Sequence, residues 1–275
     1  MIKYILIAII ALIAFGALLL FLLAGRREHP AWKVLGSYRY AHRGFHDKPR
    51  VPENSMAAFR LAVERGWGAE LDVHILKDGK LAVFHDSELE RCTGASGIIE
   101  EWDSEQLEEL RLEATDEHVP MLEEVLELFE GKAPLIIELK TYKGNHARLA
   151  KAACELLDEY KGDFCVESFD PRALAYLRRH RPNICRGQLS KGFTKDNCDL
   201  SAPTRFLLSN LLMNVIARPD FIAYEFESRD NFCLRLATRI LELREVSWTI
   251  RSREDMETCE QEGRIVIFED FDPEL

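Results

Sequence analysis

Leu135-Ile136-Ile137-Glu138-Leu139-Lys140 is the stretch on which the fold turns. Its apolar run is too short for a helix and reads as a buried strand of the kind found in parallel sheets. Glu138 and Lys140 stand at its C-terminal end, where a strand needs no charge to fold. Moving outward from it, strand-like and helix-like runs alternate. Upstream lie an amphipathic helix over Leu122–Phe129, a strand over residues 81–85 behind the turn Lys77-Asp78-Gly79-Lys80, and a strand over residues 69–75. Before these, Ser55 caps a helix that runs to about Arg65 with Gly66 as its stop, and residues 38–42 form a first strand.

Downstream, helices over residues 146–160, 171–180, 204–217, 231–244 and 253–262 alternate with strands over residues 164–169, 184–189, 221–226, 246–250 and 264–268. Eight strand–helix units with one extra hairpin strand predict an α/β fold, a TIM-type (β/α)8 barrel with a small hairpin insertion after its second strand. An open doubly wound sheet is the alternative that strand counting leaves standing.

The chain has 275 residues, and residues 4–25 contain no charge. About 20 apolar residues suffice to span a bilayer, whereas the apolar core of a signal peptide is usually about 7–15 long. The expected organisation is a transmembrane anchor over residues 1–25, a short polar linker over 26–37 and one barrel domain over 38–275. Lys3 flanks the anchor on one side, Arg26 and Arg27 on the other, which favours a cytoplasmic C-terminal side. Seven scattered cysteines without a CxxC pair suit a reducing compartment and argue against zinc. The expectation is a single-pass protein of the cell membrane with its barrel in the cytoplasm. A net charge of −11 argues against nucleic acid as a partner.

In a (β/α)8 barrel the strand C-termini converge on one face, where active sites form. Glu70 and Asp72 lie two apart on one strand and so face the same way. Glu138 adds a third carboxylate from the neighbouring strand. Buried carboxylates are costly unless paired or bound to a metal, and an all-oxygen set suits Mg²⁺ or Ca²⁺. A solvated strand edge is the plainer alternative. His42 and His85 end two strands and titrate near neutral pH, so they are the candidate proton carriers. Arg43 and Lys140 add fixed positive charge suited to phosphate oxygens. Gln188, Glu225 and Trp248 also end strands and are candidate substrate contacts. Together these residues describe phosphate-ester chemistry better than glycoside hydrolysis, which needs only two carboxylates.

His42-Arg43-Gly44, Pro52-Glu53-Asn54-Ser55, Glu70-Leu71-Asp72 and His85-Asp86, in this order, resemble the glycerophosphodiester phosphodiesterase family. Arg91-Cys92-Thr93-Gly94, Pro120-Met121-Leu122-Glu123-Glu124-Val125-Leu126, Glu138-Leu139-Lys140, Ser168-Phe169 and Trp248-Thr249-Ile250 continue the likeness over residues 38–275. The resemblance implies that Glu70, Asp72 and Glu138 are metal ligands, with Glu53 a fourth ligand or a support. It implies that His42 and His85 are the acid/base pair and that Arg43 and Lys140 bind phosphate. The implied reaction is metal-dependent hydrolysis of a glycerophosphodiester to sn-glycerol 3-phosphate and an alcohol, with Mg²⁺, Ca²⁺ or Mn²⁺ as cofactor.

Two positions depart from the family pattern. Arg251 stands where an Asn is common, and Phe268-Glu269-Asp270 stands where the last strand often ends in Thr-Asp. Both lie at the expected mouth and bear on the alcohol group. Two rival functions follow from the anchor: lysophospholipase D-type hydrolysis of membrane lysophospholipids, and non-catalytic binding of phosphodiesters. The run over residues 204–217 is unusually apolar; it is expected to be a barrel helix with a wide buried face, or a contact with the bilayer.

Overall fold

A computed structural model describes residues 1–196, 198 and 200–275. In chain order the elements are α1 (Ile2–Leu23), α2 (Trp32–Leu35), β1 (Tyr40–Ala41), α3 (Met56–Glu64), β2 (Gly68–Ile75), β3 (Leu81–Val83), α4 (Glu90–Thr93), a 3-10 turn (Ile99–Glu101), α5 (Ser104–Glu108), α6 (Leu122–Phe129), β4 (Leu135–Leu139), α7 (His146–Leu157), β5 (Phe164–Ser168), α8 (Pro171–His180), β6 (Arg186–Ser190), α9 (Ala202–Ser209), α10 (Asn214–Ala217), β7 (Phe221–Glu225), a 3-10 turn (Phe226–Ser228), α11 (Phe232–Arg239), β8 (Arg244–Ile250), α12 (Arg253–Gln261) and β9 (Ile265–Phe268). The sheet order is β1-β9-β8-β7-β6-β5-β4-β2-β3, and β1 also pairs with β2. That last pairing closes eight parallel strands into a barrel, with β3 attached antiparallel to β2. The barrel predicted from strand–helix alternation is therefore the fold.

Strand alternation sorts each strand's side chains between barrel interior and helix layer. Ala69, Leu71 and Val73 of β2 face outward with Ile137 and Leu139 of β4, under α3, α6 and α7. The interior has two levels. Toward the strand N-termini it is apolar, built from Tyr40, Ile136, Cys165, Cys185, Phe221, Val246 and Ile267. Gly187 is required here, since a Cβ would lie 2.1 Å from the Phe221 ring. Toward the strand C-termini the interior holds Glu70, Asp72, Glu138 and Glu167, all buried.

Several boundaries differ from those expected. The segment over residues 26–37 includes α2, whose Leu35 is buried and whose Trp32 packs on Phe221 with ring centroids 5.2 Å apart. Tyr40 Oη donates to Leu35 O at 2.9 Å, so this segment plugs the lower end of the barrel. The helix expected over residues 231–244 ends at Arg239, because Leu243 turns into the core and Arg244 already belongs to β8. The helix expected over residues 204–217 is two helices, broken where Leu211 takes a positive φ of 58° and enters the core. No residue of α9 is buried, so the wide buried face expected there is absent.

The wall beside β7 is completed by α1. Leu23 is fully buried in a cluster with Leu211, Ile222, Tyr224, Leu234 and Leu243. Asn214 Nδ2 donates to Leu23 O at 3.0 Å, and Arg218 Nη1 donates to Phe21 O and Ala24 O at 2.8 Å each. Arg26 pairs with the buried Asp220. The helix is long and apolar enough to cross a membrane, by length and composition, as a membrane-spanning or signal segment would be. Leu23→Ala empties a fully buried site and is expected to lower stability by about 2–5 kcal/mol. Thermal unfolding of the full chain in detergent measures this, and an unchanged midpoint would show that α1 does not brace the barrel.

Candidate active site

The register Asp72↔Glu138 between β2 and β4 sets two interior carboxylates side by side at the top of the barrel. Glu70 lies two residues lower on the same face. One oxygen from each of the three falls within 4.8 Å of the other two. The loop after β1 wraps around this cluster. Arg43 adopts a positive φ of 54°, and Gly44 one of 77°. Gly44 cannot carry a side chain, because a Cβ would meet Ala58 Cβ at 2.8 Å. The turn aims Arg43 inward: its backbone N donates to Glu70 at 3.1 Å and its Nε lies 3.3 Å from Asp72. Asn54, also at positive φ, donates to Asp72 at 2.9 Å. Lys140 Nζ bridges Asp72 at 3.3 Å and Glu138 at 3.2 Å.

The electrostatics follow from this crowding. Burial, then Asp72 and Glu138, push the Glu70 carboxyl well above its ordinary range. Burial also raises Glu138, against the pull of Lys140. Burial works to raise Asp72 too, but Lys140, His85 and Arg43 outweigh it and hold it well below. Glu167 sits at the Glu138 level of β5, raised by burial, with one carboxylate oxygen lacking any partner. Two fixed cations thus face more carboxylates than they neutralise. The all-oxygen donor set and the buried, orphaned carboxylate oxygen fit a hard divalent cation.

Both candidate histidines are held by carboxylates. His42 Nδ1 lies 2.5 Å from Glu269, and its Nε2 points to Glu70 at 3.8 Å. His85 Nδ1 lies 2.6 Å from Asp86. A carboxylate only accepts, so each Nδ1 carries the proton and each Nε2 is left for chemistry. Burial pulls His42 down, while Glu269 resists it. The His85 backbone is braced in turn by His74, whose Nε2 contacts His85 O at 3.1 Å.

Glu53 stands outside the three-carboxylate group. It accepts from Arg43 at 2.9 Å and Arg91 at 2.6 Å and pairs with Lys48, so it anchors the arginines. Gln188 faces away from the cluster and donates to Ser168 O and Leu189 O, each at 3.1 Å, bracing the rim. Glu225 accepts from Ser228 at 2.7 Å. Trp248 lines the mouth against Phe169, centroids 5.8 Å apart, and Phe169 packs likewise on Phe193 at 5.8 Å. His85, Arg91, Glu138, Lys140, Phe169 and Asp170 line an open cavity of about 600 Å³ there. A larger cleft of about 710 Å³ lies at the opposite end beside α2 and contains none of these groups.

The two departures from the family pattern meet in space. Arg251 Nη2 binds Glu269 Oε1 at 2.5 Å while Glu269 Oε2 holds His42. Glu269 lies 227 positions from His42, and no spacing signal in the sequence links them.

A model of the glycerophosphoryl diester phosphodiesterase family matches residues 42–272. The chain belongs to this family. It is 30% identical to a glycerophosphodiester phosphodiesterase of Caldanaerobacter subterraneus over 85% of this chain and 93% of that protein. A lysophospholipase D of Rattus norvegicus is 34% identical over 40% of this chain and 38% of that protein. Among solved structures, an Oleispira antarctica phosphodiesterase in complex with the product sn-glycerol-3-phosphate superposes with a TM-score of 0.71. It covers 90% of this chain and 97% of its own at 22% identity, a likeness of fold. Family members are phosphoric diester hydrolases that depend on a divalent metal, and this chain carries an acidic triad able to bind one.

Two outcomes are expected. Glu70 and Glu138 hold protons more tightly than ordinary carboxyls, so binding a divalent cation must displace them. Affinity for Mg²⁺, Ca²⁺ or Mn²⁺ therefore rises with pH through the raised carboxyl range and falls as pH drops. Calorimetric titration in buffers of different ionisation heat reads the released protons, and pH-independent affinity would contradict this charge balance. Glu269→Gln keeps an acceptor for His42 but removes its charge. It should lower kcat by about 10–100-fold with KM little changed, the range for a residue that supports a site from behind.

Proposed function

We propose that this protein is a membrane-anchored phosphodiesterase that hydrolyses glycerophosphodiesters to sn-glycerol 3-phosphate and an alcohol with the help of a divalent cation. One observation carries this: a three-carboxylate cluster shares one barrel mouth with two histidines, each held at Nδ1 by a carboxylate. Glu70, Asp72 and Glu138 are the ligand set for Mg²⁺ or Ca²⁺, with Mn²⁺ an alternative. When bound, the cation neutralises phosphate charge and makes phosphorus more electrophilic. Arg43 and Lys140 hold the phosphate oxygens, and Glu53 fixes Arg43. One histidine accepts the proton of the attacking hydroxyl as its oxygen bonds to phosphorus. The other protonates the alkoxide as its bond to phosphorus breaks. A binder without catalysis would have no use for two oriented imidazoles.

The apolar α1 serves as the single-pass anchor, and the Arg26–Arg27 flank supports a barrel on the cytoplasmic side of the cell membrane. A lysophospholipid is the second substrate reading. Its support is the aromatic row Trp248–Phe169–Phe193, which leads out of the mouth and offers an apolar track for an acyl chain.

The purified full chain should cleave glycerophosphocholine and glycerophosphoethanolamine, lose turnover in EDTA and regain it with Mg²⁺, Ca²⁺ or Mn²⁺. His42→Ala and His85→Ala should each lower turnover by about 10²–10⁴-fold. Full activity after exhaustive chelation would remove the metal from the mechanism. A kcat/KM for lysophosphatidylcholine above that for glycerophosphocholine, reduced by Phe169→Ala, would make the lipid the better substrate.

A further inference from the structure

The helix α9 is amphipathic in sequence, yet none of its residues is fully buried. Phe206 is 61% exposed, and Phe232, at the start of α11, is 60% exposed. The two belong to one patch, because Asn231 Nδ2 and Tyr224 Oη both donate to Ser209 O, the last residue of α9, at 3.2 and 2.9 Å. This patch borders the mouth: the backbone N of Phe193, the outer member of the aromatic row, donates to Ser209 Oγ at 2.9 Å.

The direction of α1 relates this patch to the membrane. The chain leaves α1 at the rim where the strands begin. Arg26 N donates to Pro219 O at 2.7 Å, and the Arg26 guanidinium reaches Ile184 O and Asp220, just ahead of β6 and β7. The partners of α1 are α10 and α11, which form the wall and not the floor. Partial burial of Gly16, Leu19, Leu20 and Leu22, with full burial of Leu23, marks two turns lying along that wall. Followed upstream, the helix therefore climbs toward the rim that carries the site.

Residues 2–15 of α1 are all exposed and, apart from Lys3, uncharged. A bilayer that takes them in therefore meets the barrel at the rim toward which the helix climbs. Whatever surrounds α1 on that side sits at the lipid surface.

We propose that the barrel is seated mouth-first on the bilayer, with α9 and the first turn of α11 immersed in the lipid interface. The occupant of the exposed α9 face is lipid, continuous with the lipid around α1. This rests on α1 being the membrane anchor. It deepens the proposed function by placing the aromatic row where a bilayer-borne phosphodiester would enter.

The test uses the full chain in phosphatidylcholine–phosphatidylglycerol vesicles containing brominated lipid, with the single variants Phe206→Trp, Phe232→Trp and Ile240→Trp. Ile240 is 57% exposed at the opposite end of α11 and serves as the internal reference. The four native tryptophans give the same background in every variant. Bromine quenching should increase for the tryptophans at positions 206 and 232 and not for that at 240. The reverse pattern places the bilayer at the other rim and overturns the proposal. No added quenching at any position, in protein that resists carbonate extraction, overturns it while leaving the anchor intact; a dimer in that case identifies a second copy as the occupant. Extraction by carbonate removes the anchor itself and the proposal with it. As an independent arm, Phe206→Asp/Phe232→Asp should lower kcat/KM for vesicle-borne lysophospholipid by at least about tenfold, the factor that losing one buried phenylalanine implies. It should leave kcat/KM for soluble glycerophosphocholine unchanged, and equal loss on both substrates would overturn the proposal.

Discussion

Three carboxylates confined to one level of a barrel interior are the constraint from which the rest of this structure follows. Neighbouring strands in register put Asp72 beside Glu138, and a period of two puts Glu70 directly below. Buried like charges at this spacing repel strongly, so the site must supply compensation from every side. Arg43 comes from a loop held at positive φ, Asn54 from the next turn and Lys140 from the end of β4. Two cations still leave the cluster under-neutralised. Protons held by Glu70 and Glu138 offset that excess, and a divalent ion that displaces them would suit the same oxygen donors.

Carboxylates behind the two histidines hold their rings in place. Each histidine is tied at one ring nitrogen, which selects the tautomer and aims the other nitrogen into the mouth. The Asp86 tie is local to its own strand end. The Glu269 tie joins the last strand to the first and depends on barrel closure. Arg251 binds the other oxygen of Glu269, so the two residues that set this chain apart from its family's pattern act as one unit. Arg251 also pairs with Glu227 and Asp270, and Glu269 with His42 and His46, so the unit is tied into a wider charge network at the mouth.

The apolar lower level of the interior and the docking of α1 answer a different need. A barrel open at its floor would let water reach the buried carboxylates from below. Trp32 and Leu35 of α2 close that end. Beside β7 the usual wall helix is broken, and Leu23 of α1 fills the place that α9 vacates. The helix α1 and the barrel are thus one packed body, and the orientation of the mouth relative to α1 is built into the packing.

The barrel was legible because alternating strand and helix patterns, with charged residues only at strand ends, admit few other folds. Glu70, Asp72, Glu138, His42, His85, Arg43 and Lys140 were legible because each sits at a position where folding alone gives no reason for a charge. Local spacing carried all of that information. Glu53 sits in a motif that suggests a metal ligand or a support beside one, and only packing shows it surrounded by Arg43, Arg91 and Lys48. The apolar run at residues 204–217 has the composition of a buried helix; tertiary structure breaks it because Leu211 alone has a core to enter. The Glu269–His42 and Arg26–Asp220 contacts join residues about two hundred positions apart and leave no periodic trace. Sequence by itself determined which side chains face the barrel interior, since that depends on the two-residue period of each strand. Tertiary structure alone decided which of them meet across the closed barrel and which way the mouth faces, since closure and helix docking depend on shape complementarity between distant segments.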